Sequence, residues 1–146
     1  MWIIKLGGSW LTNPKLKSLL IAIEKFKDVP ITLVVGGGIF ADSIRNAQKY
    51  IKFDDRFANY LAIKSTEQYA LIINKIAPYI SITSKLSLLR SSKNLKIWLP
   101  SKHLSKEKKF KKNWESTSDS IACWLYSKMK SDGVIFIKSL SFEKKK

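Results

Sequence analysis

The chain has 146 residues and a formal net charge of +16, with 45% hydrophobic and 12% aromatic residues, which is enough apolar material for a real core and excludes wholesale disorder. Its one cysteine, Cys123, excludes an internal disulfide and points to a reducing, cytoplasmic setting. The N-terminus lacks a basic segment followed by a long apolar run, and no stretch reaches the ~18 apolar residues of a membrane helix, so neither a signal peptide nor a membrane span is expected.

Trp2-Ile3-Ile4-Lys5-Leu6 reads as a strand that runs straight into Gly7-Gly8-Ser9. Asn13 followed by Pro14 is a helix start signal, with Asn13 as N-cap. The apolar stripe Leu16, Leu19, Leu20, Ile23 and Phe26 then predicts a helix over 14–27. Ile31-Thr32-Leu33-Val34-Val35 is β-branched or apolar at every position, the pattern of a strand buried on both faces. Gly36, Gly37 and Gly38 follow it. Ile39, Phe40, Ile44 and Ala47 recur at helical spacing, giving a helix over about 40–50 with Asp42 in its first turn.

Phe57, Leu61, Ile63, Tyr69, Ile72, Ile73 and Ile76 predict a long helix over roughly 56–76, closed by Pro78. A short strand over 79–83, a helical turn over 86–90, a loop over 91–94 and a strand over 95–99 follow. Residues 101–114 read as a mobile basic loop. Thr117 or Ser118 caps a helix carrying Ile121, Ala122, Leu125 and Met129 inward. Asp132-Gly133 is a turn, 134–137 a further strand and 139–146 a polar tail. Strands that alternate with helices imply one α/β domain over 1–146, a three-layer α/β/α sandwich with a mainly parallel sheet.

A strand that passes through glycines into a helix leaves bare backbone N–H groups beside a positive helix end, an arrangement that binds anions and phosphate most often. Three chemistries compete for these glycines. The G-x-x-x-x-G-K-[ST] loop is absent. Gly36, Gly38 and Ala41 fit the dinucleotide fingerprint G-x-G-x-x-A. The acid ~20 residues on, however, is Asp55, which follows a helix rather than a strand, and Gly7-Gly8 stays unexplained. The third reading grips a phosphoryl group between two glycine turns with Lys5 beside it. Phosphoryl transfer needs positioning and charge neutralisation more than covalent chemistry, and amides plus a lysine supply both.

IIKLGGSW, LVVGGGIFADSIR and WESTSDSIACWL resemble the three signatures of the amino acid kinase superfamily, which includes acetylglutamate kinase, aspartokinase and uridylate kinase. IWLPSK at 97–102 and LAIKSTEQYA at 61–70 are similar to a narrower branch, the aminomethylfuran phosphate kinases of methanofuran biosynthesis. The resemblance implies an ATP-dependent kinase with a small-molecule phosphate or carboxylate acceptor, using Mg-ATP. It implies that Lys5 neutralises charge on the transferring phosphate and that Asp119 orients Lys5. Gly7, Gly8 and Ser9 would hold the ATP phosphates, and Gly36, Gly37 and Gly38 the acceptor side. The relatives continue beyond this point into a part that supplies most of the adenine pocket, so a C-terminally truncated form of the fold is expected. Lys138-Ser139 stands where many members have Thr-Asp, and Asn59 where narrower relatives tend to have histidine. A catalytically inactive phosphate-binding module is the alternative, and a homo-oligomer is compatible with either.

Each of these residues has a plainer reading. Lys5 and Asp119 can be a surface lysine and a first-turn acid, and Asp42 a cap. His103, alone in a polar loop, reads as a surface residue. Trp98, Trp114 and Trp124 read as core or pocket lining. No His/Cys/Asp cluster suggests a zinc site, so no protein-held metal is expected. Only three of the 27 basic residues are arginine, the residue that base reading favours, so a nucleic-acid partner is disfavoured and the lysines read mainly as a solvated surface.

Overall fold

The computed structural model describes residues 1–26, 28–91 and 94–139. Five strands form one all-parallel sheet in the order β3-β4-β2-β1-β5. They are β1 (Trp2–Leu6), β2 (Ile31–Val35), β3 (Ser81–Thr83), β4 (Lys96–Trp98) and β5 (Gly133–Ile137). The helices are α1 (Leu16–Glu24), α2 (Gly38–Ile51), α3 (Asp55–Ile76), the single turn α4 (Ser101–Leu104) and α5 (Ser118–Met129). Short 3-10 turns cover Gly8–Thr12 and Leu86–Leu88. Among the described residues no helix is long and apolar enough to cross a membrane.

The period of two along each strand separates the core into two layers. Ile4, Leu6, Leu33 and Val35 face α1 and the second half of α3, meeting Leu20, Ile23, Tyr69 and Ile73. Ile3 and Val34 face the other way, onto Ile121, Ala122 and Leu125 of α5 and onto Leu104 and Phe110. Helices therefore cover both faces, as the alternation of elements predicts. β2 lies in the middle of the sheet with all five residues buried, which is what its unbroken apolar run requires.

Register fixes where the glycines go. Leu6 pairs with Val35 on one side and with Ile137 on the other. The three chains therefore leave the sheet side by side at its carboxyl edge, the edge at which ligands bind in such sheets.

Several boundaries differ from the sequence reading. The first helix starts at Leu16, because the Asn13 side chain accepts the Lys15 N–H at 2.9 Å and forms an Asx turn instead of an N-cap. It ends at Glu24, so Phe26 is exposed; Lys27 lies outside the described residues. The second helix begins at Gly38, which moves Asp42 out of the first turn and into the second. Asp54 caps α3 by accepting the Phe57 N–H at 2.8 Å. Residues 101–114 are pinned rather than free, since α4 opens the segment and Leu104 and Phe110 are buried in the core. Of the polar tail at 139–146, only Ser139 is among the described residues.

Candidate active site

The two glycine turns are in contact. A Cβ on Gly8 would lie 2.4 Å from the Gly38 nitrogen, and one on Gly36 would lie 2.6 Å from the Gly8 nitrogen. No residue with a side chain fits at either position. Gly38 also has φ of +53°, the left-handed region that glycine adopts without penalty. Gly37 is right-handed at φ −84°, ψ −20°, and the right-then-left pair aims successive amides at one point, a nest for an anion. The turns are threaded to the sheet by Gly36 N–H to the Leu6 carbonyl and Gly7 N–H to the Ile137 carbonyl, both 3.0 Å. The amides of Gly8, Ser9, Gly37, Gly38 and Ile39 donate to no protein acceptor among the described residues, and all five residues line one cleft.

Lys5 lies on the α5 face of β1, in register with Ile3, and its side chain is 7% exposed. Its Nζ is 2.7 Å from Oδ1 of Asp119, in the first turn of α5. Lys138, just past β5, places its Nζ 3.3 Å from Oδ2 of the same carboxylate. Burial opposes ionisation of Asp119, but the two ammonium groups outweigh it and hold the carboxyl below its ordinary value. The Ser139 hydroxyl donates to the Ser9 hydroxyl and ties the exit of β5 to the first glycine turn. Ser118 of α5 brings its Oγ against Gly36. Lys5, Gly8, Gly37 and Asp119, expected together from sequence, are thus brought to one edge of the sheet.

The cleft measures about 340 Å³. One wall is the face of α2 that carries Gly38, Ala41, Asp42 and Arg45, and the opposite wall is the α3 face of Asn59, Ile63 and Thr66. Trp114 also lines the cleft. The Arg45 guanidinium stacks 4.5 Å from its ring centroid, and its indole N–H donates to Gln48 Oε1 at 2.7 Å. Asn59, 3% exposed, donates to the Asn113 carbonyl at 3.2 Å and borders both this cleft and an adjoining cavity of about 300 Å³ walled by Phe57, Tyr60 and Leu104.

The sequence reading missed Arg45 and Gln48. The available signal was the spacing Gly38, Asp42, Arg45, one helical face leading away from the glycines. Trp114 does line the pocket, whereas Trp98 is buried and stacks on Trp124 at 5.7 Å. His103 contacts the Ser84 carbonyl at 3.0 Å and does not line the cleft.

The free amides suit a chain of phosphates, whereas Lys5, Gly7 and Asp119 are not among the residues that line this cleft. Among the described residues no three acidic, histidine or cysteine side chains gather to hold a metal.

A parallel sheet covered by helices on both faces, with two glycine turns at its carboxyl edge, defines a doubly wound α/β protein. The amino acid kinase family model matches residues 1–114, and the chain belongs to that family. It is 29% identical over 130 residues to [5-(aminomethyl)furan-3-yl]methyl phosphate kinase of Methanocaldococcus jannaschii, a match covering 86% of this chain and 59% of that protein. The chain therefore spans about three-fifths of the length of this curated relative. The crystal structure of uridylate kinase from Archaeoglobus fulgidus superposes with a TM-score of 0.73 at 19% identity, over 99% of this chain and 69% of that one. The likeness in fold thus extends over the whole sheet.

Proposed function

We propose that the chain is a phosphotransferase that moves the γ-phosphoryl group of ATP to a phosphate or carboxylate oxygen of a small acceptor. The observation that carries this is the contact between two glycine turns, with Lys5 buried near the end of the strand that feeds one of them. Gly7, Gly8 and Ser9 hold the donor phosphates, and Gly36, Gly37 and Gly38 hold the acceptor. The bond from the γ-phosphorus to the ADP oxygen breaks as one to the acceptor oxygen forms.

An ionised acceptor has no proton to lose, so the step calls for no general base; the cleft presents no histidine. What remains is positioning and charge. The amides fix the oxygens in line, Lys5 neutralises charge shared by the two sides, and Asp119 keeps Lys5 in place. Mg²⁺, when bound, supplies further charge neutralisation on the phosphates.

The M. jannaschii relative makes [5-(aminomethyl)furan-3-yl]methyl phosphate the first acceptor to test, in methanofuran-type cofactor synthesis and in the cytoplasm. The experiment is transfer of labelled γ-phosphate by the purified chain. Loss of roughly 10²-fold or more on Lys5→Ala supports the kinase, as removal of one preorganised charge-stabilising donor does elsewhere. ATP binding with no turnover in either protein refutes it in favour of an inactive phosphate-binding module.

A further inference from the structure

The two most exposed large apolar side chains among the described residues are neighbours, Tyr50 at 80% and Ile51 at 73%. They close α2, a helix with no buried residue that packs chiefly on α3 and on the turn Gly8–Thr12. Lys52 turns the chain in the left-handed conformation at φ +58°, and α3 starts at Asp55. The two helices thus form a hairpin whose tip stands off the sheet. Phe53 meets Phe57 edge-on at 5.5 Å, and Phe57 stacks on Tyr60 at 6.4 Å. Five large apolar side chains therefore follow one another along the tip. Together they expose on the order of 500 Å², the scale at which an exposed patch marks an interface.

Charge indicates what covers them. Lys49, Lys52 and Arg56 surround the tip, exposed and without an ion pair among the described residues. Phe57 and Tyr60 share their cavity with Ser105 and Lys112, which flank a run over 106–112 of five lysines and one glutamate. The acids at the tip are Asp54 and Asp55, and both are engaged, by the Phe57 N–H and by the Gln48 amide. A second copy seated here would set the same lysines opposite these, on chains of formal charge +16 each. An anionic bilayer suits both parts of the patch. Its headgroup boundary takes aromatic and aliphatic tips, and its phosphates take the cations.

We propose that the tip of the α2–α3 hairpin docks the protein on an anionic lipid surface. Tyr50 and Ile51 enter the headgroup boundary, while Lys49, Lys52 and Arg56 meet lipid phosphates. The chain rests on the bilayer, and no helix among the described residues crosses it. The glycine nest lies at the other end of α2, ~20 Å away, so the cleft stays open to solvent whatever it binds.

The test is sedimentation with two kinds of vesicle, phosphatidylcholine alone and equal parts of phosphatidylcholine and phosphatidylglycerol. The wild type pellets with the mixed vesicles and stays in solution with the neutral ones. Tyr50→Ser combined with Ile51→Ser weakens binding on the order of 10²-fold, the weight of two apolar side chains returned to water. Its thermal melt is unchanged, because neither side chain is in the core. Lys49→Gln combined with Lys52→Asn weakens binding roughly tenfold or more, and asparagine keeps the left-handed turn.

A wild type that stays in solution with both vesicles overturns the proposal. So does binding that survives the replacement of Tyr50 and Ile51, since the bilayer would then be held by charge alone. A dimer seen by sedimentation equilibrium, dissolved by the same double replacement and indifferent to vesicles, assigns the tip to a second copy and overturns it as well.

Discussion

Two neighbouring glycines provide a matched test of the contact between the turns. An alanine Cβ at Gly8 meets the Gly38 nitrogen at 2.4 Å and its Cα at 2.6 Å, both backbone atoms that cannot rotate away. At Gly7 the nearest atom is the Ile137 carbonyl oxygen at 3.4 Å, an ordinary contact. Gly7 has φ −62° and ψ 147°, which alanine adopts freely. Restoring normal separation at Gly8 requires the two turns to part by about 1 Å, a displacement that costs on the order of 10²-fold when it separates reacting groups. The same strain destabilises the fold by about 1–3 kcal/mol.

Gly7→Ala introduces no clash and restricts the unfolded chain, so its stability change is within about 1 kcal/mol and can be favourable. Urea denaturation of both variants, with phosphate-ester binding measured on each, checks the expectation. Equal stability and equal affinity for Gly7→Ala and Gly8→Ala would show that the turns do not touch and would undo the site described here.

Asp119 gives a pH signature. Its folded carboxyl lies below its ordinary value, so the stability it contributes is present above the unfolded carboxylate range. That stability is lost as pH falls through the depressed folded value. The urea midpoint of Asp119→Asn should therefore be flatter than the wild type's below about pH 5, and parallel curves there would refute the pairing. Asp54→Ala removes the acceptor of the Phe57 N–H and should cost about 1 kcal/mol, read as a lower urea midpoint at unchanged m. A change below a few tenths would mean that α3 is capped by something else.

Much of this protein was legible from periodicity alone. β2 announced itself because a central parallel strand is apolar on both faces, and α5 because Thr117 precedes an apolar helical stripe. The glycine runs marked the site, since only a turn in close contact with another backbone asks for that many residues without side chains. Local rules failed where a side chain had two partners to choose from. Asn13 turned its side chain to the Lys15 amide and delayed the helix. Asp42 read as a cap because the helix was placed two residues late; once Gly38 starts it, the same carboxylate faces the cleft. Residues 101–114 are rich in lysine, and their charge concealed Leu104 and Phe110, two apolar anchors too far apart to show a period.

By itself the sequence determined the alternation of strands and helices, the two glycine turns and the presence of Lys5 and Asp119, because each depends on neighbours within a few positions. Only the tertiary structure decided that the turns touch, that Lys5 and Lys138 share one carboxylate, and that Arg45 stacks on Trp114. Those are contacts between residues far apart in the chain or choices between competing partners. They are set by strand register and by which face of each helix the core claims, and no local pattern encodes either.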